Sequence, residues 1–82
     1  MQNFPNPFNP LTEIQYTIRW SGHVLLQVYN ILGIEVACLV NNEQHQGSYK
    51  VKFDASRLSS GIYYYSLRSG NFSETKKMAL IR

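Results

Sequence analysis

The sequence is poor in charge and in cysteine, and it has no long apolar run. Charged residues make up 16% of the 82 positions, and the net charge of +3 is not gathered into a cluster, so we expect no nucleic-acid binding. The single cysteine, Cys38, excludes an internal disulfide and a cysteine-based metal site. The longest apolar run, Val36–Val40, has five residues, whereas a membrane helix needs about 20. We therefore expect no membrane insertion.

The first residues lack the apolar core of a signal peptide, because Pro5, Pro7 and Pro10 lie where that core would be. If the domain is exported, its address lies elsewhere in a longer parent chain, or the domain is itself the address. With 44% hydrophobic residues the chain can fold as one domain. A domain of this size buries roughly 60–65% of its unfolded surface, which leaves little volume for a deep active site.

The prolines divide the chain into two parts. Residues 1–12 contain all of them, and we predict an extended, turn-rich lead-in or junction that is neither a helix nor a central strand. Its composition suits a linker, but Phe4 and Phe8 favour a segment docked on the domain surface. Residues 13–82 form the domain that follows.

Apolar and polar residues alternate from residue 13 onward, which predicts half-buried strands. The first two run over Glu13–Arg19 and Val24–Tyr29, and a turn at Trp20–His23 joins them. Their predicted inward side chains are Ile14, Tyr16, Ile18, Val24, Leu26 and Val28. Asn30–Gly33 is predicted to form a second turn, in which Gly33 can adopt a positive φ.

The next segment, residues 34–40, fits both a strand and a short helix. Its length between Gly33 and the Asn41-Asn42 pair, together with its β-branched residues, favours a strand. Within that strand we expect Cys38 to be a buried, inert thiol that packs as a small apolar residue. A polar loop over Asn41–Gln46 is expected to follow.

Strand patterns return in the second half of the chain, at Tyr49–Phe53 and Ile62–Arg68, with the polar crossover Asp54–Gly61 between them. Ser69-Gly70 can close a two-residue hairpin turn into the last strand, Asn71–Arg82. That turn would place Leu67 opposite Phe72 and Tyr65 opposite Glu74. The residues of the last strand expected to face inward are Met78 and Leu80, with Phe72 as a further candidate.

The strand count defines the fold class. About six or seven short strands, each bounded by Gly, Asn or Ser, indicate an all-β fold, a small antiparallel β-sandwich. A barrel closed by an even number of strands fits less well, because the predicted strands differ in length.

No local group of residues indicates catalysis or metal binding. The five acidic residues are all more than four positions apart. His23 and His45 lie in predicted loops, and neither has a metal-ligand neighbour at i+2 to i+4. The chain also lacks a nucleophile elbow and a phosphate-binding glycine loop. We expect no enzymatic activity, no cofactor and no metal site.

Two possible binding features are each open to a structural interpretation. Tyr63 and Tyr65 point the same way, either into the core or as a flat aromatic platform for a sugar, to which Trp20 could contribute. The last strand is made basic by Lys76, Lys77 and Arg82. Such charge either protects an edge strand from aggregation or marks a strand that a partner recognises by charge or by strand addition.

Four blocks of the sequence, taken in order, resemble one known family. They are Phe4–Tyr16 with its Pro-Asn-Pro box, Val24–Val36 with Tyr-Asn-x-x-Gly, Gly61–Leu67 with its tyrosines, and the basic-apolar ending Lys76–Arg82. Together they resemble the C-terminal sorting domain of the type IX (Por) secretion system, type A. The pattern is also similar to the immunoglobulin-like domain of flagellar hook-capping proteins. One departure is Ile18-Arg19-Trp20, where family members often carry Leu-Pro after the first strand.

The resemblance implies an immunoglobulin-like sandwich without chemistry of its own. Such a module directs an exported parent protein through the outer membrane, from the periplasm to the cell surface or the extracellular space. The implied partners are the secretion translocon, a shuttle protein and a sortase-like peptidase that cuts before or within the lead-in. The domain would be a monomer within a larger parent chain.

The resemblance also implies a recognition surface on the last two strands, Gly61–Arg82. We expect the side chains of the basic residues to be contacts, and the glycines to be backbone requirements. The predicted partner-binding residues are Gly61, Tyr63, Tyr65, Gly70, Lys76, Lys77 and Arg82. The alternative function is a non-catalytic accessory β-sandwich of an exported enzyme, acting as a carbohydrate-binding module or a spacer.

Overall fold

The computed structural model describes residues 2–3 and 11–81, and every regular element in these ranges is a β-strand. Six strands are of full length, while the first has two residues. The strands are β1 (Gln2–Asn3), β2 (Leu11–Ile18), β3 (Gly22–Asn30), β4 (Glu35–Gln44), β5 (Gly47–Asp54), β6 (Gly61–Ser69) and β7 (Phe72–Leu80). The predicted all-β class is confirmed.

The strands form two antiparallel sheets that face each other. The smaller sheet has the order β1-β2-β5, and the larger has the order β4-β3-β6-β7. One core cluster contains side chains from both sheets, which confirms the predicted sandwich. Most of the lead-in, including Phe4 and Phe8, lies outside the described residues. Where that segment is described, Gln2 and Asn3 pair with β2, and β2 itself begins at Leu11.

The core follows the predicted alternation. Side chains at every second position of β2, β3 and β6 point between the sheets, as the pleat of a strand requires. The buried hydrophobic residues are Ile14, Tyr16, Ile18, Val24, Leu26, Val28, Phe53, Ala55, Tyr63, Tyr65, Leu67, Met78 and Leu80. All the inward residues predicted for the first two strands belong to this set, as do Met78 and Leu80 of the last strand. Phe72, the further candidate in that strand, is 45% exposed.

A stacked pair of aromatic rings connects β2 with β5. Tyr16 and Tyr49 are register partners, and their rings stack with centroids 5.4 Å apart and planes inclined by 15°. The Tyr16 hydroxyl donates a hydrogen bond to Gln44 Oε1 at 2.9 Å, and burial raises the pKa of Tyr16 above its ordinary value. A pair of this kind contributes about 0.5–1.5 kcal/mol beyond the area that it buries.

Residues 34–40 belong to a strand, as favoured, but the predicted burial of Cys38 is wrong. The β3–β4 register shifts between Leu26 and Gln27 and again between Val28 and Tyr29. Each shift adds an unpaired residue to β4 and reverses the alternation of the side chains that follow. Cys38 therefore pairs with Gln27 on the outer face, where its side chain is exposed.

Two segments predicted as loops are strands. The expected loop Asn41–Gln46 is reduced to two residues, because β4 continues to Gln44 in register with the start of β3. His23 lies in β3 for the same reason, with its Nε2 atom 2.7 Å from Asn41 Oδ1. Backbone pairing overrides the polar side chains here, since the outer face of an antiparallel sheet can be solvated.

The β3–β4 turn is organised by Asn30. Its Oδ1 atom accepts hydrogen bonds from the backbone N–H groups of Leu32 at 2.9 Å and Ile34 at 3.0 Å. The N–H of Gly33 donates to the Asn30 carbonyl at 2.9 Å, and Gly33 has a φ of 82°, as predicted. An asparagine or aspartate oxygen can serve this turn, and both residue types are favoured in such geometry.

We predict that Leu26→Ala lowers the free energy of unfolding by about 2–5 kcal/mol, because it leaves a cavity in the fully buried centre of β3. Chemical denaturation monitored by circular dichroism measures this change. Leu32→Ala is the matched control, since the Leu32 side chain is 79% exposed and should change stability by less than about 0.5 kcal/mol. Equal losses in the two variants would contradict the assignment of the core.

We predict that Asn30→Ala destabilises the domain by about 1 kcal/mol, because two turn N–H groups lose their acceptor. Asn30→Asp keeps an acceptor oxygen at this position and should retain most of the stability. Denaturation curves of the two variants at pH 7 make the comparison. If aspartate proves as destabilising as alanine, the side-chain hydrogen bonds do not hold the turn.

Candidate functional site

The segment expected to bind a partner folds as the β6–β7 hairpin. β6 lies inside the larger sheet between β3 and β7, while β7 is an edge strand. The hairpin keeps every backbone pairing from Gly61–Leu80 to Ser69–Phe72. Because the register is regular, each residue of β7 lies on the same face of the sheet as its partner in β6.

The turn of this hairpin differs from the prediction by one position. Ser69 pairs with Phe72, so the two loop residues are Gly70 and Asn71 rather than Ser69 and Gly70. Gly70 has a φ of 60°, whereas Asn71 does not have a positive φ. Glycine at the first loop position is the pattern of a type II′ turn, whose twist matches that of the strands. The turn lies at Gly70-Asn71 because the first loop position needs a positive φ, which glycine adopts readily.

The predicted pairings change with the turn. The partner of Leu67 is Glu74, and the partner of Tyr65 is Lys76, so the predicted register was wrong by two residues. A shift of two residues preserves the face on which each side chain lies. For this reason the predicted burial of Met78 and Leu80 is confirmed although the pairing is not.

β7 presents a row of backbone groups that no strand covers. Residues next to a two-residue loop form a hydrogen-bonded pair, and such pairs then alternate along the hairpin. The intervening residues of β7 consequently direct their N–H and C=O groups away from β6. We call these residues the open edge: Ser73, Thr75, Lys77 and Ala79. In the part of the chain that the structure describes, no strand pairs with the open edge.

Both predicted lysines are exposed, but on opposite faces of the sheet. Lys76 is opposite the buried Tyr65 and therefore extends on the core-facing side, while Lys77 is opposite Tyr64 on the outer side. Neither lies within 4 Å of a carboxylate in residues 11–81, where the one contact of this kind is between His23 Nδ1 and Glu43 Oε1 at 3.8 Å. An inward-pointing lysine on an edge strand also discourages self-association.

The two predicted tyrosines are core residues and do not form an exposed platform. Tyr63 is 7% exposed and Tyr65 is 1% exposed, because both alternate with Leu67 on the inner face of β6. The Tyr63 hydroxyl donates to the Ser59 carbonyl at 2.8 Å. Burial raises the pKa of Tyr65, and the nearby Glu74 carboxylate adds to the shift. A partner that approaches the surface would not reach their rings.

The remaining predicted residues lie at the ends of the hairpin. Gly61 begins β6 opposite Leu80 with a φ of 155°, and Gly70 occupies the turn. The φ values of Gly61 and Gly70, 155° and 60°, are both unfavourable for residues with a Cβ atom. Arg82 lies outside the described residues.

Sequence reasoning missed a concave surface at the turn of this hairpin. Two adjoining clefts open beside the β2–β3 turn, with volumes of about 250 and 520 Å³. Trp20, Ser69 and Phe72 line both of them. The exposed Trp20 was the only available signal, since the contribution of Phe72 depends on the hairpin register.

The described chain shows no arrangement suited to metal chemistry. Within residues 2–3 and 11–81, no three histidine, cysteine, aspartate or glutamate side chains come close enough to hold a metal ion. The same residues include no helix with the length and apolar character needed to cross a membrane. The candidate features of this chain are the open edge, Lys76 and Lys77 of β7, and the two clefts.

Comparison with known proteins relates the whole fold to one kind of domain. The family model for the secretion system C-terminal sorting domain matches residues 2–81. This match spans all seven strands and reaches from the start of β1 to the residue after β7. No curated protein and no solved structure matches the chain.

Proposed function

Because this chain belongs to the family of type IX secretion system C-terminal sorting domains, we propose that the secretion machinery recognises it through the β6–β7 hairpin. A domain of this family is a sorting signal and is not itself catalytic. It marks an exported protein that goes to the cell surface, and it interacts with the secretion machinery. The proposal concerns the surface of the domain to which that machinery binds.

The observation that carries the proposal is the combination of an open edge with two lysines that form no ion pair among residues 11–81. An edge strand can accept a further strand through its backbone N–H and C=O groups, and neighbouring side chains then give specificity. Lys77 lies within the open edge, and Lys76 precedes it on the other face. A partner segment with acidic residues on both faces would complement this strand. In this proposal Gly61 and Gly70 shape the backbone of the hairpin, and Arg82 is a further basic contact.

The finer steps of export form part of the same proposal. The sandwich folds in the periplasm, where the shuttle protein and the outer-membrane translocon bind it. A sortase-like peptidase then cuts before or within residues 1–12, which act as the junction to residues 13–82. The parent protein is released or attached to surface lipopolysaccharide. A compact strand-built unit next to a proline-rich junction suits this division of roles.

A reporter fusion tests the sorting function directly. Residues 1–82 are fused to the C-terminus of a periplasmic reporter protein in a host that has the type IX machinery, and the reporter is assayed in the periplasm and outside the cell. We expect export comparable to that given by a known sorting domain. Retention in the periplasm, while the known domain exports the same reporter, would refute the function.

Paired substitutions test the recognition surface. We predict that Lys76→Gln with Lys77→Gln reduces export several-fold, because the partner loses two charge contacts on β7. The matched control is Lys50→Gln with Lys52→Gln, which removes two exposed lysines from β5, the edge strand of the other sheet. Both double variants have the same net charge. Equal effects on export would argue against a specific surface, and thermal unfolding verifies that each variant is folded.

A further inference from the structure

We propose that the two clefts between Trp20 and Phe72 bind a neutral oligosaccharide. This binding function is separate from sorting, because the clefts and the open edge of β7 are formed by different groups. It is a specific form of the carbohydrate-binding function considered from the sequence. The site lies at the β2–β3 turn and not at Tyr63 and Tyr65.

Two exposed aromatic side chains form the sides of the clefts. Trp20 lies in the turn between β2 and β3 and is 71% exposed, while Phe72 begins β7 and is 45% exposed. The smaller cleft is also lined by Ile18 and Leu67, which are almost completely buried. Apolar surface of this kind is unfavourable in water, and several apolar residues around one concavity typify a ligand site.

Charged groups of opposite sign line the smaller cleft. Arg19 follows β2, and Glu74 extends from the inner face of β7 opposite Leu67. Within residues 11–81 neither side chain forms an ion pair, and the Glu74 carboxylate lies near Tyr65, whose pKa it helps to raise. The cleft thus offers guanidinium donors on one element and carboxylate acceptors on another, with no net charge.

The larger cleft is lined by polar groups from two elements. Ser69 and Asn71 line it from the hairpin, and Ser21 and His23 line it from the start of β3. Ser21 Oγ already accepts a hydrogen bond from the Gln46 N–H at 3.0 Å, and His23 contacts Asn41. The Asn71 amide has no hydrogen-bond partner in the described chain, so it is available to a ligand.

A saccharide fits this combination better than a charged or wholly apolar ligand. A pyranose ring has one face of C–H groups, which stacks on the electron-rich face of an aromatic ring. Its hydroxyl groups accept from Arg19 or Asn71 and donate to Glu74. The larger cleft, at about 520 Å³, falls within the usual range of roughly 300–1,000 Å³ for small-molecule sites. Two adjoining clefts suit at least two consecutive rings.

The site can be tested with the intrinsic fluorescence of Trp20, because the chain contains one tryptophan. The protein is titrated with a panel of neutral hexasaccharides: β-1,4-glucan, β-1,3-glucan, xylan, mannan and chitin oligomers. We expect a saturable change in emission with at least one of them. No response to any member of the panel would overturn the proposal, as would an emission change that follows protein concentration without sugar, since that indicates self-association.

Variants separate stacking from hydrogen bonding, with affinity measured by calorimetry. Trp20→Ala is expected to weaken binding about tenfold or more, and the isosteric Glu74→Gln is expected to weaken it by a smaller factor. Ile31→Ala is the control, because Ile31 is exposed at the opposite end of the sandwich. Unchanged affinity in both cleft variants would overturn the proposal. The reporter fusion gives an independent readout, so loss of sugar binding with normal export leaves the sorting function standing.

Discussion

The structure depends on alternate side chains of two facing sheets meeting in one thin core. Ile14 on β2, Leu26 on β3 and Tyr65 on β6 are each buried almost completely. A chain of 82 residues has little apolar surface to spare. The inner face of β6 is therefore required for the core, which explains why its tyrosines cannot also serve as an exposed platform.

The same constraint divides β7 into two halves with different roles. Met78 and Leu80 are buried and anchor the end of the strand, whereas Phe72 and Lys76 remain exposed although they lie on the same face. The smaller sheet evidently covers the larger one only in part. The uncovered half of β7 supplies the clefts, while its outer edge supplies the backbone groups proposed for recognition. The positive charge of Lys76 and Lys77 opposes aggregation through this edge strand. The same charge gives β7 a feature that a partner can recognise.

Local sequence reasoning succeeded wherever strict alternation holds. Ile14, Val24 and Met78 were assigned to the core from period-two patterns, and the structure buries all three. It failed where the pattern is interrupted, since the two register shifts in β4 move Cys38 to the outer face. The β6–β7 turn was also predicted one residue too early, with Gly70 at the second loop position, whereas Gly70 occupies the first.

Sequence patterns alone predict the all-β class, the presence of six strands, the inward residues of β2 and β3, and the resemblance to a family. These properties are local, because strand periodicity and turn chemistry act over a few residues. The fold was needed to show that β7 lies at an edge, that the β3–β4 register shifts twice, and that Trp20 and Phe72 line the same clefts. Those features depend on which strands pair and in what register, and pairing is set by contacts between residues far apart in the chain.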